Sequence, residues 1–115
     1  MVSSIKNFIG CDVVKISRMK KVLRSKNLVK KIFHPSEVIV YDPQHLAGIF
    51  ALKEATMKAL GLRSNQWLDI EVYYADSGKP HIRVAGTMAK NISMDCSISH
   101  DGDYAFAVIS GLKNK

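Results

Sequence analysis

Two cysteines, three prolines and a single tryptophan in 115 residues exclude several classes of protein. Cys11 and Cys96 have neither a close partner nor the paired spacing of a zinc site, so a disulfide scaffold and a structural thiolate metal are both set aside. Each is expected to be reduced and buried. Glycine and proline are too sparse for a collagen-like or proline-rich chain, and no apolar run approaches the roughly 20 residues of a membrane span. The stretch from Met1 to Asp12 holds one lysine and no small-residue cleavage site, so neither a signal peptide nor a transmembrane helix is read there and the cytosol is the expected compartment. Asn91-Ile92-Ser93 fits the glycosylation pattern, but without a secretion signal it is discarded. Internal repeats and low-complexity linkers are also lacking.

The remaining composition is that of an ordinary globular chain: 47% hydrophobic, 23% charged, with a mean hydropathy of -0.01. At this length one domain over residues 1–115 is expected. Acidic residues are the scarce charge, ten against seventeen basic, for a net +7. The excess is concentrated. Lys15, Arg18, Lys20, Lys21, Arg24, Lys26, Lys30 and Lys31 fall in one stretch without a single acid. Such a block attracts a nucleic acid, an anionic membrane or an acidic protein over about 8 to 10 Å at physiological salt. The plainer alternative is a solvated helix face without a dedicated partner. Aromatic residues do not interleave with the block, which argues against a single-strand nucleic-acid platform.

Periodicity sets out the elements. Asn7 to Ile16 is β-rich around Gly10 and reads as a buried strand. From Ser17 to Lys31 apolar residues recur near helical spacing, predicting one helix or two short ones, and Pro35-Ser36-Glu37 suits another short helix. The longest periodic segment runs from about Pro43 to Leu60, with Gly61 at its end. Asp69 to Ala75 and His81 to Val84 read as strands of a hairpin around Asp76-Ser77-Gly78-Lys79-Pro80. Ile92 to Ser99 and Tyr104 to Ser110 are two more strands, joined by a tight turn at His100-Asp101-Gly102-Asp103. The predicted class is α+β, an antiparallel sheet packed on one long helix, with short N-terminal helices.

Four polar residues stand out within this pattern. Asp12 lies in an apolar strand, and an uncompensated buried carboxylate costs several kcal/mol, so it must be neutralised, paired or bound to a cation. Glu54 and Lys58 are one turn apart on the long helix, where the simpler reading is a surface ion pair worth about 0.2 to 0.5 kcal/mol. His100 sits at a strand end; a lone histidine there is more often structural, although loops carry chemistry more often than cores. Two carboxylates without a cysteine or histidine cluster suit a hard cation, Mg²⁺ above all, and a lysine nearby is the usual companion of a phosphate. Asp12, Glu54 and Lys58 therefore form a Mg²⁺-phosphate site only if strand and helix meet in space.

At these residues the sequence resembles a known family, the holo-[acyl-carrier-protein] synthases, small bacterial 4'-phosphopantetheinyl transferases. Ile9-Gly10-Cys11-Asp12-Val13-Val14 resembles the family's first strand. Phe50-Ala51-Leu52-Lys53-Glu54-Ala55-Thr56-Met57-Lys58-Ala59-Leu60-Gly61 resembles its F-A-A-K-E-A-x-x-K-A-x-G helix. Trp67 to Val72, Gly78-Lys79-Pro80, and Ser97-Ile98-Ser99-His100-Asp101 with Tyr104-Ala105 and Ala107-Val108-Ile109 follow in the family's order. Five segments in register cover nearly the whole chain and displace the ion-pair reading of Glu54 and Lys58.

The resemblance implies the fold of that family and transfer of the phosphopantetheine arm of coenzyme A to a serine of an apo acyl carrier protein, in support of fatty acid biosynthesis. Adenosine 3',5'-bisphosphate leaves. It implies Mg²⁺ on Asp12 and Glu54, phosphate contacts from Lys58 and His100, and a coenzyme A cleft that includes Gly61, Pro80 and Ser99. The serine proton goes to Glu54 or to a metal-bound water or hydroxide. The resemblance also implies docking of the acidic carrier on the first helix through Arg18, with Lys20, Lys21 and Arg24 reinforcing the field, and a homotrimer with active sites at subunit interfaces.

Two departures from the family accompany these matches. Ile49 stands where the family commonly has arginine, and the loop Leu62-Arg63-Ser64-Asn65-Gln66 is shorter and poorer in glycine; Arg63 is the nearest basic residue in that loop. Two competing functions are weighed against the transferase. A basic nucleic-acid module lacks any helix-turn-helix, zinc or aromatic signature here, and a carrier-binding relative without activity is disfavoured by the joint presence of Asp12, Glu54, Lys58 and His100.

Overall fold

The first element is an eleven-residue strand, β1 (Ile5–Lys15), in a computed structural model that describes residues 5–63, 65–86 and 90–114. Two short helices follow, α1 (Ile16–Val22) and α2 (Lys26–Ile32). Ser25 is what divides them: its backbone is extended and its Oγ accepts the Leu28 N–H at 3.3 Å, a cap that starts a new helix. The 3₁₀ turn Pro35–Val38 leads into α3 (Pro43–Leu60). Asp42 caps α3 through the His45 N–H at 2.9 Å, Pro43 occupies the first turn where its missing N–H costs nothing, and Gly61 closes the helix in the left-handed conformation at φ 68°.

A second 3₁₀ turn, Trp67–Asp69, precedes the hairpin of β2 (Ile70–Tyr74) and β3 (Pro80–Val84). The long strands β4 (Ile92–Asp101) and β5 (Tyr104–Asn114) complete the fold. The architecture is α+β with antiparallel pairing throughout, as the pattern predicts. The strands divide into two sheets, however: a three-stranded sheet in the order β1-β5-β4, and the separate β2-β3 ribbon. The β4-β5 connection is also tighter than expected. His100 and Asp101 still pair with Ala105 and Tyr104, so only Gly102 and Asp103 form the turn.

The helix α3 lies on one face of the three-stranded sheet, and small residues let it come close. Ala105, Ala107 and Ile109 of β5 are fully buried beneath it, as are Leu46, Ala51, Leu52 and Ala55 from the helix. Gly10 is required by this approach, because a side-chain carbon there would run into the Ala55 carbonyl. Truncating Leu46 or Leu52 to alanine in so tight a core costs about 2 to 5 kcal/mol.

Strand alternation corrects two expectations. β1 is not buried on both faces: Phe8, Gly10, Asp12 and Val14 turn towards α3, while Ile9, Cys11 and Val13 point outward, Ile9 being 73% exposed. Cys11 is accordingly exposed, and Cys96 half-buried, rather than both buried; both are free thiols. Among the described residues no helix is long and apolar enough to cross a membrane.

Candidate active site

Because Asp12 occupies an inward position of β1, its carboxylate faces α3, where Lys58 meets it. The Lys58 ammonium donates to Asp12 Oδ1 at 2.9 Å and lies 3.4 Å from the Cys11 carbonyl. The Asp12 side chain is 18% exposed, so it is paired at the edge of the core rather than buried without compensation. This hydrogen bond holds the Lys58 pKa above its ordinary value. The surface pair of Glu54 with Lys58 does not form, since Lys58 turns to the strand instead. Glu54, one turn earlier and half-buried, enters no ion pair among the described residues. Burial first and the Asp12 charge second push its pKa up, while Arg18 and Lys58 pull it back.

Strand and helix thus meet where the spacing alone was silent, and the donor set fits a hard cation. Two carboxylates repel each other here, and a divalent ion relieves that repulsion while leaving sites for water and phosphate oxygens. Among the described residues no third histidine, cysteine, aspartate or glutamate joins them. An ion at this point would therefore complete its shell with solvent and substrate.

Arg18 belongs to the same neighbourhood. Its guanidinium stacks 5.7 Å from the centre of the Phe50 ring and contributes positive charge at Glu54. Lys20, Lys21 and Arg24 are exposed on α1 and the turn after it, as are the other five residues of the basic block.

The other expected site residues lie elsewhere in the chain. The His100 ring packs over Gly48, and its Nε2–H donates to the Gln44 carbonyl at 3.0 Å. Gly48 is six residues before Glu54, about 9 Å along the helix axis. Gly61 lies beyond Lys58 at the end of α3. Pro80 opens β3, where its carbonyl accepts the Cys96 thiol at 3.3 Å. Ser99 pairs with Phe106 on the outer face of the sheet, opposite α3. One chain brings together Asp12, Glu54, Lys58 and Arg18, and leaves His100, Pro80 and Ser99 apart from them.

Two features escaped the sequence reading. Lys53 and Glu37 form a buried ion pair at 2.6 Å with neither side chain exposed. The signal was available: Leu46, Ile49, Phe50, Lys53 and Met57 follow one helical stripe, which puts a lysine on the core face. His45 packs beside Tyr74 at 5.4 Å, its pKa lowered by burial and by the nearby His100, with Asp42 opposing. Ile49, in place of the family's arginine, is buried in the core. Arg63 is exposed in the following loop, where its N–H donates to the Gln66 side chain at 2.8 Å; Ser64 lies outside the described residues.

Residues 8–109 match the model of the 4'-phosphopantetheinyl transferase superfamily. A Campylobacter jejuni protein named holo-[acyl-carrier-protein] synthase is 33% identical over 111 residues, spanning 89% of this chain and 96% of that protein. Among solved structures, the Helicobacter pylori holo-[acyl-carrier-protein] synthase in complex with coenzyme A is 32% identical, with a TM-score of 0.81 over 93% of this chain and 99% of that one. The Bacillus anthracis synthase in complex with coenzyme A (3',5'-ADP) is 28% identical, with a TM-score of 0.79 over 94% and 99%. Its sequence match and its fold place the chain in the 4'-phosphopantetheinyl transferase superfamily.

Proposed function

We propose that the protein transfers the 4'-phosphopantetheine arm of coenzyme A to a serine of an apo acyl carrier protein, yielding the holo carrier and adenosine 3',5'-bisphosphate, as a step in support of fatty acid biosynthesis. The observation that carries this reading is the meeting of Asp12, Glu54 and Lys58 between β1 and α3. Asp12 and Glu54 are the residues to hold Mg²⁺, which when bound neutralises charge on the pyrophosphate of coenzyme A. Lys58 directs its ammonium at the same phosphates.

In the reaction the serine Oγ attacks the phosphorus joined to the pantetheine arm, the bridging P–O bond breaks, and its electron pair leaves with adenosine 3',5'-bisphosphate. Glu54, which enters no ion pair among the described residues, is the group in this chain suited to take the serine proton. Arg18, held over Phe50, stands beside Glu54 to receive an acidic side chain of the carrier, and Lys20, Lys21 and Arg24 speed encounter.

The working unit is a homotrimer with its active sites at subunit interfaces, as in the family, and each subunit is a single transferase domain over residues 1–115. Supporting this are Ile9, Val13, Phe106 and Leu112, which expose a shared apolar face of the β1-β5-β4 sheet. Ser99 lies on that face, away from its own chain's Glu54, so a neighbouring subunit is needed to unite the coenzyme A cleft. His100, Gly61 and Pro80 complete the cleft in this reading. The cytosol, where coenzyme A and carrier are available, is the compartment.

The test is the intact mass of an apo carrier after incubation with this protein and coenzyme A, with Mg²⁺ or with a chelator. A gain of one phosphopantetheine group that the chelator prevents is expected. No gain on several carriers, from folded protein, overturns the activity.

A further inference from the structure

The geometry points to Lys53 as a positioning residue: with Glu37 it clasps the basic α1-α2 segment to the part of α3 that carries Glu54, so that a docked carrier delivers its serine to the active site. This rests on the transferase reading.

The Lys53 ammonium has three partners: Glu37 Oε1 at 2.6 Å, the Ile32 carbonyl at the end of α2 at 2.7 Å, and the Trp67 carbonyl at 3.2 Å. Glu37 Oε1 also accepts the His34 N–H at 2.7 Å, and Oε2 accepts the Val72 N–H of β2 at 2.7 Å. One buried pair thereby fixes the end of α2, the Pro35–Val38 turn, the Trp67–Asp69 turn and β2 on a single residue of α3. Lys53 immediately precedes Glu54. A second mooring holds the other end of the block, since the Tyr41 hydroxyl donates to the Leu23 carbonyl just past α1, at 2.9 Å.

Stability does not require an ion pair at this place. Apolar groups of similar volume often serve a core as well or better, because desolvating two charges offsets their attraction. What the pair adds is direction. The ion pair and its four backbone partners at fixed distances set the docking surface relative to Glu54, and catalysis is sensitive to such placement: an error of about 1 Å can cost roughly 10²-fold.

The experiment compares wild type with the double variant Lys53→Met/Glu37→Gln, which removes both charges together. The readouts are thermal unfolding, the number and affinity of coenzyme A sites per chain, and turnover of apo carrier per coenzyme A site. The proposal expects a folded variant with coenzyme A sites in full number and affinity within three-fold, and turnover per site reduced at least ten-fold. Unchanged turnover per site, or losses explained by fewer coenzyme A sites, would make the pair merely structural and overturn the proposal. Glu37→Asp keeps both charges and shortens the clasp by one carbon; it guards against misfolding of the double variant. Its turnover per site should fall at least three-fold with coenzyme A binding intact, and no fall overturns the proposal. A wild-type protein that binds coenzyme A yet modifies no carrier would instead refute the transferase reading itself.

Discussion

Lys58 on α3 bonds to Asp12 on β1 at 2.9 Å rather than to Glu54 one turn away on its own helix. That choice leaves Glu54 without an ion pair among the described residues and gives the two acids different surroundings. Replacing either acid removes one of the two carboxylates proposed to hold a divalent ion. Asp12→Ala and Glu54→Ala are each expected to lower Mg²⁺-dependent carrier modification by at least about 10²-fold, on the scale of losing a main electrostatic stabiliser of the transition state. Circular dichroism should show both folded. Unchanged rates in the two variants would sink the metal assignment.

Glu54 also predicts a trade between stability and activity. Burial and the Asp12 charge raise its pKa above the ordinary 4.5, so the folded chain holds this proton more tightly than the unfolded chain does. The stabilisation from that proton is fully present below the ordinary value and is lost as pH rises through the raised one. Glu54→Gln should therefore melt at a higher temperature than wild type at neutral pH, with the gap closing as the pH is lowered, while losing transfer activity. Calorimetry across pH 4 to 8 checks this, and a variant that melts lower at pH 7 contradicts it.

The exposed basic block should act through encounter rate. With Arg18→Glu and Lys21→Glu together, association with an acidic carrier slows about ten-fold or more at low salt, and the difference shrinks as salt is raised. Stopped-flow binding across an ionic-strength series is the measurement. A defect that persists undiminished at high salt would argue against electrostatic docking.

The apolar outer sheet face gives a test of assembly. Val13 is 56% and Phe106 is 40% exposed, and the two are direct cross-strand partners. Val13→Lys with Phe106→Lys should convert the proposed trimer to monomer in sedimentation velocity and abolish turnover, without disturbing Asp12 or Glu54. A wild-type protein that sediments as a monomer at micromolar concentration refutes the homotrimer.

Close contact of β1 with α3 is checked at Gly10. Gly10→Ala places a carbon against the Ala55 carbonyl, a backbone atom that cannot turn aside. The strain should cost about 1 to 3 kcal/mol, read as a fall in Tm of several degrees. A Tm at or above wild type would mean that the strand and helix separate more easily than their packing implies.

The sequence by itself determined the order and kind of the elements, because hydrophobic period, capping residues and turn residues are local. Asp42-Pro43 and Gly61 bound α3 as predicted, and the motif residues Asp12, Glu54 and Lys58 were legible as an unusual set of polar positions. Tertiary structure alone decided what those residues touch. Which face of β1 is covered depends on where α3 settles, so Cys11 came out exposed although its neighbours read as a buried strand. Lys58 has one carboxylate within sequence reach, Glu54, and only the packing of helix on sheet brings it Asp12, 46 residues away, instead. Lys53 and Glu37 are sixteen residues apart on different elements, and an ion pair between them depends on distance in space, which no local pattern encodes. Ser99 shows the same limit from the other side: its motif is readable, but the sheet turns it away from Glu54.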